Sequence, residues 1–245
     1  MSKEKSIQDI LESATEEGRT NLTEFESKQI LRACEIPTTK TELVNSKLEA
    51  IRAARTIKYP VVAKITSPDI LHKSDIDGVR VGLASEIEVR HAFDDVMASA
   101  KAQFPDADIW GVTIQEFIPQ EKEVIIGVTQ DPSFGPTIIF GLGGIWVETL
   151  EDVSFRLPPI SIEEAEKMIE EINGYPILAG ARGGKPADIE TLADIIQKIG
   201  DLVMEYEQIS EIDLNPVFAQ KEGEGATAVD ARIMLKDTKD DSEED

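Results

Sequence analysis

Apolar residues recur along this chain at two spacings, one helical and one alternating, and the two take turns from residue 21 onward. After Ser85, Val89, Ala92, Phe93, Val96 and Met97 fall on one face of a helix. A longer helix is predicted from Asp188 to about Tyr206, with Leu192, Ile195, Ile196, Ile199, Leu202 and Val203 facing inward. Four helix starts carry Ser or Thr followed three residues later by Glu: Thr23/Glu26, Ser46/Glu49, Ser85/Glu88 and Ser161/Glu164. Such a pair satisfies two amides that a helix N-terminus leaves open. Between the helices, β-branched runs bounded by Pro, Gly and Asp predict strands at 60–65, 109–118, 122–130, 136–142, 153–157, 209–214 and 227–231. Short turns such as DPSFGP join several of them. Closely spaced hairpin strands with helices interspersed imply an α+β fold in layers, not a doubly wound parallel sheet. A division near 117–120 would separate two lobes, 21–117 and 118–236, with a cleft between. Residues 1–20 read as a loosely held polar extension. Residues 237–245 read as an acidic, disordered tail with nothing to bury.

Polar residues that interrupt these patterns are the candidates for chemistry. Alternation in PVVAKI puts Val61, Ala63 and Ile65 on one face and Val62 and Lys64 on the other. A lysine in an apolar strand needs an anionic partner; it is either an edge lysine reaching water or a contact for phosphate. The polar loop that follows, SPDILHKSDIDGV, holds His72, and an imidazole there is either a solvated loop group or a phosphoryl acceptor. The other histidine, His91, lies opposite the apolar stripe of its helix and reads as a surface group. Glu116 shares parity with Val112, Ile114 and Ile118, so its carboxylate either finds a hydrogen-bond donor, such as a base or ribose, or is simply wet. Glu123, opening the next strand, leaves the same two choices. In EIDLNP, Glu211, Asp213 and Asn215 point one way; in AVDAR, Ala228, Asp230 and Arg232 share a face. Two strands could thus offer Asp213, Asn215 and Asp230 to one spot, a hard-oxygen set suited to Mg²⁺, or else be ordinary half-exposed strands. The glycine clusters FGLGGI and GARGGKP, the latter with Arg182 and Lys185, are compatible with anion binding and equally with close backbone packing or a mobile connection.

Charge narrows the partners. The net charge of −23 repels nucleic acid and anionic membranes, so neither is expected as a partner. It repels nucleotides too, so an ATP site here requires Mg²⁺ and a few well-placed Lys or Arg. No apolar run is long enough to cross a bilayer, and the N-terminal residues do not read as a signal peptide. The single cysteine, Cys34, permits no internal disulfide and fits a reducing cytoplasm.

The segments PVVAKITSPDILHKSDIDGV, VTIQEFIPQEKEVIIGVTQDPSFGPTIIFGLGGIWVE, DVSFRLPPIS, AGARGGKPAD, EIDLNPV and AVDAR, in that order, closely resemble the ATP-grasp domains of NDP-forming acyl-CoA synthetases over about residues 21–234. The resemblance implies an ATP-grasp fold, with a nucleotide held between two α+β lobes. Lys64 matches the family's lysine at the nucleotide phosphates. Glu116 and the backbone around Ile118 look like the segment that takes the adenine, with Glu123 beside it. Asn215 and Asp230 match the Mg²⁺ ligands, with Asp213 as a third ligand or a group behind them. His72 matches the histidine of a mobile loop implicated in phosphoryl shuttling between a phosphohistidine and Mg-ADP. The chain has the length of the family's free nucleotide-binding subunit and shows no CoA-binding half. A separate CoA-binding α subunit carrying the first phosphohistidine is therefore implied, in a cytoplasmic heterotetramer with two copies of each chain. An ATP-grasp carboxylate ligase that makes an acyl phosphate directly, and an ATP-sensing module without turnover, stay open as alternatives. The role of Arg182, the acyl group, the choice of ADP over GDP and the working direction are not fixed by the sequence.

Overall fold

The computed structural model describes residues 6–144 and 152–237, apart from the side chain of Arg182. The acidic tail foreseen at 237–245 lies outside these residues except for Asp237. Among the described residues, no helix is long and apolar enough to cross a membrane. Two compact units are present. The smaller comprises Thr23–Glu26 and Thr39–Pro119; the larger comprises the described residues up to Leu22, Ser27–Thr38, and those from Gln120 onward.

The N-terminal stretch is not the loose extension expected from its polarity. Helix α1 (Ile7–Glu16) opens on a capping box, in which the Ser6 hydroxyl accepts from the Asp9 amide at 3.1 Å and Asp9 accepts from the Ser6 amide at 3.0 Å. Ile10, Leu11 and Ala14, at helical spacing, are buried in the larger unit's core. Helix α2 (Glu24–Ala33) starts where Thr23 and Glu26 predict it; the Glu26 carboxylate accepts from both the amide and the hydroxyl of Thr23, each at 2.8 Å. Its Ile30 and Leu31 join the same core as α1. Residues 27–38 therefore belong with the C-terminal half of the chain and not with the lobe 21–117 anticipated from sequence.

In the smaller unit, strands β1 (Thr41–Val44), β2 (Val61–Thr66), β3 (Val79–Leu83) and β4 (Gly111–Glu116) form an antiparallel sheet in the order β1-β4-β2-β3. Helices α3 (Lys47–Ile57) and α4 (Glu86–Gln103) start at Ser46 and Ser85, whose hydroxyls accept from the Glu49 and Glu88 amides. The glutamates reach one residue further back than an ordinary capping box, to the Asn45 and Ala84 amides. Val61, Ala63 and Ile65 of β2 are buried with Val89, Ala92, Phe93 and Val96 of α4. Strand alternation turns Lys64 and Thr66 the other way, together with Thr113 of β4, and all three are nevertheless buried.

The larger unit is built on a second antiparallel sheet. Strands β5 (Lys122–Asp131), β6 (Gly135–Leu142), β7 (Val153–Arg156), β8 (Ile209–Ala219) and β10 (Arg232–Leu235) run in the order β10-β8-β5-β6-β7, and β9 (Ala226–Ala228) pairs with β8. Helices α5 (Ile162–Glu170), α6 (Tyr175–Leu178) and α7 (Ile189–Glu205) accompany it, and Met168, Ile195, Ile196 and Ile199 are buried with Ile126, Ile138 and Phe140 of the sheet. β8 extends five residues beyond the expected end at Leu214, through Pro216. The ladder with β5 shifts register between Ile126↔Leu214 and Val124↔Val217, which lets a residue without an N–H sit inside a central strand.

α7 is capped by Asp188, which also holds a distant loop. One carboxylate oxygen accepts from the Thr191 amide at 3.0 Å, the other from the Gly225 amide at 2.9 Å. Burial pushes this carboxyl up, but the hydrogen bonds together outweigh it and leave the group below the ordinary aspartate value. Asp188→Ala is expected to cost about 1–2 kcal/mol. Because the folded-state value is the lower one, the difference from the parent is full above the unfolded aspartate pKa. It shrinks as pH falls through the folded value. Urea unfolding of both chains across an acid series measures it.

Candidate functional site

In the smaller unit, the anion that Lys64 requires is supplied from within. The Lys64 Nζ donates to Glu24 Oε1 at 2.7 Å, and Lys73 Nζ donates to Glu24 Oε2 at 2.7 Å. The three side chains keep only 8%, 7% and 15% of their surface in the order Lys64, Glu24, Lys73, so this is a charge cluster withdrawn from water. Neither Glu24 nor Lys73 stands out in the sequence, because a helix-start acid and a loop lysine are ordinarily solvated.

Lys73 directly follows His72. The loop of residues 67–78 contains a 3₁₀ turn at Lys73–Ile76, with His72 at its start and exposed. Buried side chains flank the histidine, Ile70 before it and Ile76 after it. The Ile76 carbonyl accepts from the Ser99 hydroxyl and from Gln103 of α4, and the Asp69 carboxylate accepts from the Asp108 amide at 2.7 Å. The loop closes at Gly78, where a Cβ would lie 2.7 Å from Ile65 and 2.8 Å from the Lys73 carbonyl, so no other residue fits without displacing that backbone. Of the loop's centre, only Leu71 and His72 stand out as large exposed side chains between these pegs. His91 is exposed on α4, as its position opposite the apolar stripe requires.

Glu116 ends β4 half-buried. Its Oε2 accepts from the Lys40 amide at 3.3 Å, and its own amide donates to the Lys40 carbonyl at 2.8 Å. Ile118 follows the strand, also half-buried.

Glu123 belongs to the larger unit. It accepts from Gln120 Nε2 at 2.8 Å and lines a cavity of about 370 Å³ with Lys122, Leu142, Gly143 and Gly144. Gly143 of FGLGGI is explained by close packing: its amide donates to the Glu123 carbonyl at 2.7 Å, and a Cβ on it would lie 2.8 Å from that of Glu123. Ile145 lies outside the described residues. The GARGGKP loop is gathered by Lys122, whose ammonium donates to the carbonyls of Leu178 and Lys185; burial lowers its pKa.

The oxygen-bearing residues of the larger unit sit on β8 and just after β9. Asp213 lies opposite Arg232 of β10 and opposite Gly127 of β5. Burial, followed by the charge of Glu211, pushes the Asp213 carboxyl above the ordinary range; Arg232 draws it down and Asp230 pushes it up further. Asp213 and Asp230 are therefore close enough to feel one another. Asn215 is exposed on the same strand, two residues on. The strand expected over 227–231 is broken instead. β9 ends at Ala228 and the chain bends at Val229 and Asp230: the Val229 amide still donates to the Pro216 carbonyl opposite it at 3.0 Å, but Pro216 has no N–H to return the bond. Asp230 is thus a bend residue, with its Oδ1 accepting from the Ala231 amide at 2.8 Å. The bend is gripped by Lys28 of α2, fully buried, whose ammonium donates to the Val229 carbonyl at 2.7 Å. Among the described residues, no three His, Cys, Asp or Glu are grouped to hold a metal. Asp213, raised chiefly by burial, Asp230 and the Asn215 amide offer hard oxygens, the chemistry that suits a divalent cation.

A family model described as an ATP-grasp domain matches residues 13–235. The chain is 49% identical over 235 residues to the acetate–CoA ligase (ADP-forming) I subunit beta of Pyrococcus furiosus, covering 96% of this chain and 100% of that one. The structure matches acetyl-coenzyme A synthetase 1 of Ca. Korarchaeum cryptofilum in complex with coenzyme A, Ca-AMPCP and HgCl+, at a TM-score of 0.90 and 46% identity, covering 94% of this chain and 100% of that one. A form of that synthetase with coenzyme A and Mg-AMPPCP, its phosphohistidine segment pointing towards the nucleotide binding site, matches at a TM-score of 0.83 and 44% identity, over 94% of this chain and 100% of that one.

Proposed function

From the premise that this chain belongs to the ATP-grasp domain family, we propose that it is the nucleotide-binding β subunit of an ADP-forming acyl-CoA synthetase. The observation that carries this is the end-to-end likeness to a relative named as such a subunit, with nearly half of all positions identical. The reaction is acyl-CoA + ADP + phosphate to acid + CoA + ATP, and it is reversible. Acetate is the acid in the relative's name.

The CoA-binding half lies on a separate α subunit, in a cytoplasmic heterotetramer with two copies of each chain. There, phosphate displaces CoA from the acyl group, and the resulting acyl phosphate passes its phosphoryl group to a histidine. On this chain, the His72 imidazole attacks that phosphorus: a new P–N bond forms and the one to the α-subunit histidine breaks. A β-phosphate oxygen of ADP then attacks in turn, the P–N bond to His72 breaks, and ATP results. Lys64 steadies the nucleotide phosphates. Glu116 and the backbone near Ile118 hold the adenine, and Glu123 is a further contact for the nucleotide. Asp213, Asn215 and Asp230 hold Mg²⁺, which when bound neutralises phosphate charge. The chain's own contribution is chiefly position and charge, since the transition state of phosphoryl transfer asks little covalent help. The exposed His72 and the half-buried Lys73 next to it in sequence support this division of labour.

Mixing the chain with an α subunit should give ATP from acetyl-CoA, ADP, phosphate and Mg²⁺, and neither chain alone should. Tight Mg-ATP binding without any transfer would favour a sensing module instead. Acid activation dependent on an added amine, with no labelled histidine, would favour a carboxylate ligase.

A further inference from the structure

Glu24 has no part in the mechanism above, yet both of its oxygens are taken by ammonium groups that the mechanism does involve or adjoin. Oε1 accepts from Lys64, the phosphate lysine of that reading, and Oε2 accepts from Lys73, the residue after His72. We propose that Glu24 is a positioning residue, an internal anion that holds Lys64 while no phosphate does and, through Lys73, pegs the turn that presents His72.

The argument is one of charge and of attachment. Ammonium and carboxylate groups this far out of water are stable only as partners, and removing the Glu24 charge leaves both lysines less compensated. Glu24 is fixed by its helix: it is the first residue of α2, behind a Thr23/Glu26 cap closed by two 2.8 Å hydrogen bonds. The carboxylate is thus a rigid post and the two lysines are its flexible guests. An incoming nucleotide phosphate offers Lys64 a second anion of higher charge, so Glu24 and phosphate compete for one ammonium. Lys73 has no such choice. It stays on Oε2 and keeps the backbone of His72 where the buried Ile70 and Ile76 leave it unsupported. The same residue therefore weakens nucleotide binding slightly and strengthens transfer, which is a signature that mere structural support lacks.

This rests on the reading of Lys64 and His72 given above, and three readouts separate the two. Glu24→Gln keeps the shape and removes the charge. Mg-ADP binding to the isolated chain, measured by calorimetry, is expected to tighten about three- to tenfold, because Lys64 is left less neutralised. Amide hydrogen exchange over residues 71–75 is expected to quicken, because the peg is weakened. Acetyl-CoA-dependent ATP formation with the α subunit is expected to fall about tenfold or more in kcat. Lys73→Met should reproduce the faster exchange and the lower kcat with Mg-ADP affinity unchanged, and combining the two should add little. Glu24→Asp, retaining the charge, should restore affinity to the parental value. Unchanged affinity and exchange in Glu24→Gln, or weaker binding and lower kcat together with a lowered Tm, overturns the proposal. If Glu24→Gln does not fold, Lys73→Met decides: parental exchange over 71–75 overturns it. If the parent chain itself transfers no phosphate, the functional reading fails, and the binding and exchange measurements still judge Glu24.

Discussion

Exchange of His72 for alanine is expected to lower acyl-CoA-dependent ATP formation by about a thousandfold or more while Mg-ADP binding and thermal unfolding stay as in the parent. The two halves of that statement come from different observations. The side chain is exposed and makes no capping hydrogen bond to its own turn, so its removal opens no cavity and strands no buried partner. The turn itself is held by Ile70, Ile76, Gly78 and the Lys73–Glu24 pair, none of which involves the imidazole. On the proposed mechanism what is lost is a nucleophile, and without it the phosphoryl group would have to cross directly from the α subunit to ADP. Phosphate on the parent chain, stable in alkali and labile in acid, should vanish in His72→Ala. His91→Ala provides the comparison, since that imidazole is equally exposed but lies on α4, and it should leave both label and rate unaltered. Parental activity in His72→Ala would remove the relay from the mechanism.

How far the sequence could be read depended on whether a feature was local. The Ser85 and Ser161 caps, the inward stripe of α7 and the alternation of β2 are contained within a few residues, and each element begins where those residues place it. Strands β1 and β3 escaped because they are short edges. β3 leaves Val81 and Gly82 exposed, so no alternation marks it. α1 escaped because its cap pairs Ser6 with Asp9 where a glutamate was sought, and because a mostly polar segment still carries three apolar residues on one face. The expected end of β8 at Leu214 falls before a proline, which argues against a central strand; the bulge that accommodates Pro216 is a property of its pairing with β5. The candidate site divides along the same line. Lys64 was conspicuous as a charge in an apolar run. Its partner Glu24 lies 40 positions away, and Glu24 and Lys28 together look like a solvated i,i+4 pair on a helix surface. Both are in fact buried, one on two lysines and the other on the Val229 carbonyl. Only long-range contact reveals this, because a helix surface is known to be covered only when its cover is known.

Asp230→Ala is expected to weaken Mg-ADP binding by about a hundredfold or more and to leave the fold intact. Asp230 sits in a bend, half-exposed, after β9 has ended, so its side chain is not part of a packed face. Toward Asp213 its charge is repulsive: it adds to the burial and the Glu211 charge that hold that carboxyl high. The half-exposed side chain leaves no core cavity behind, so unfolding by urea should occur near the parental midpoint, in contrast to the loss expected for Asp188→Ala, whose carboxylate caps a helix and holds a distant loop. If Asp213 and Asp230 hold the cation as proposed, deleting one should lower cation affinity and not stability. Titration of ADP with chelator in place of Mg²⁺ supplies the discriminating control: parent and variant should then bind alike and weakly. Undiminished Mg-ADP affinity in Asp230→Ala would remove this bend from the metal site and leave Asp213 and Asn215 without their third oxygen donor.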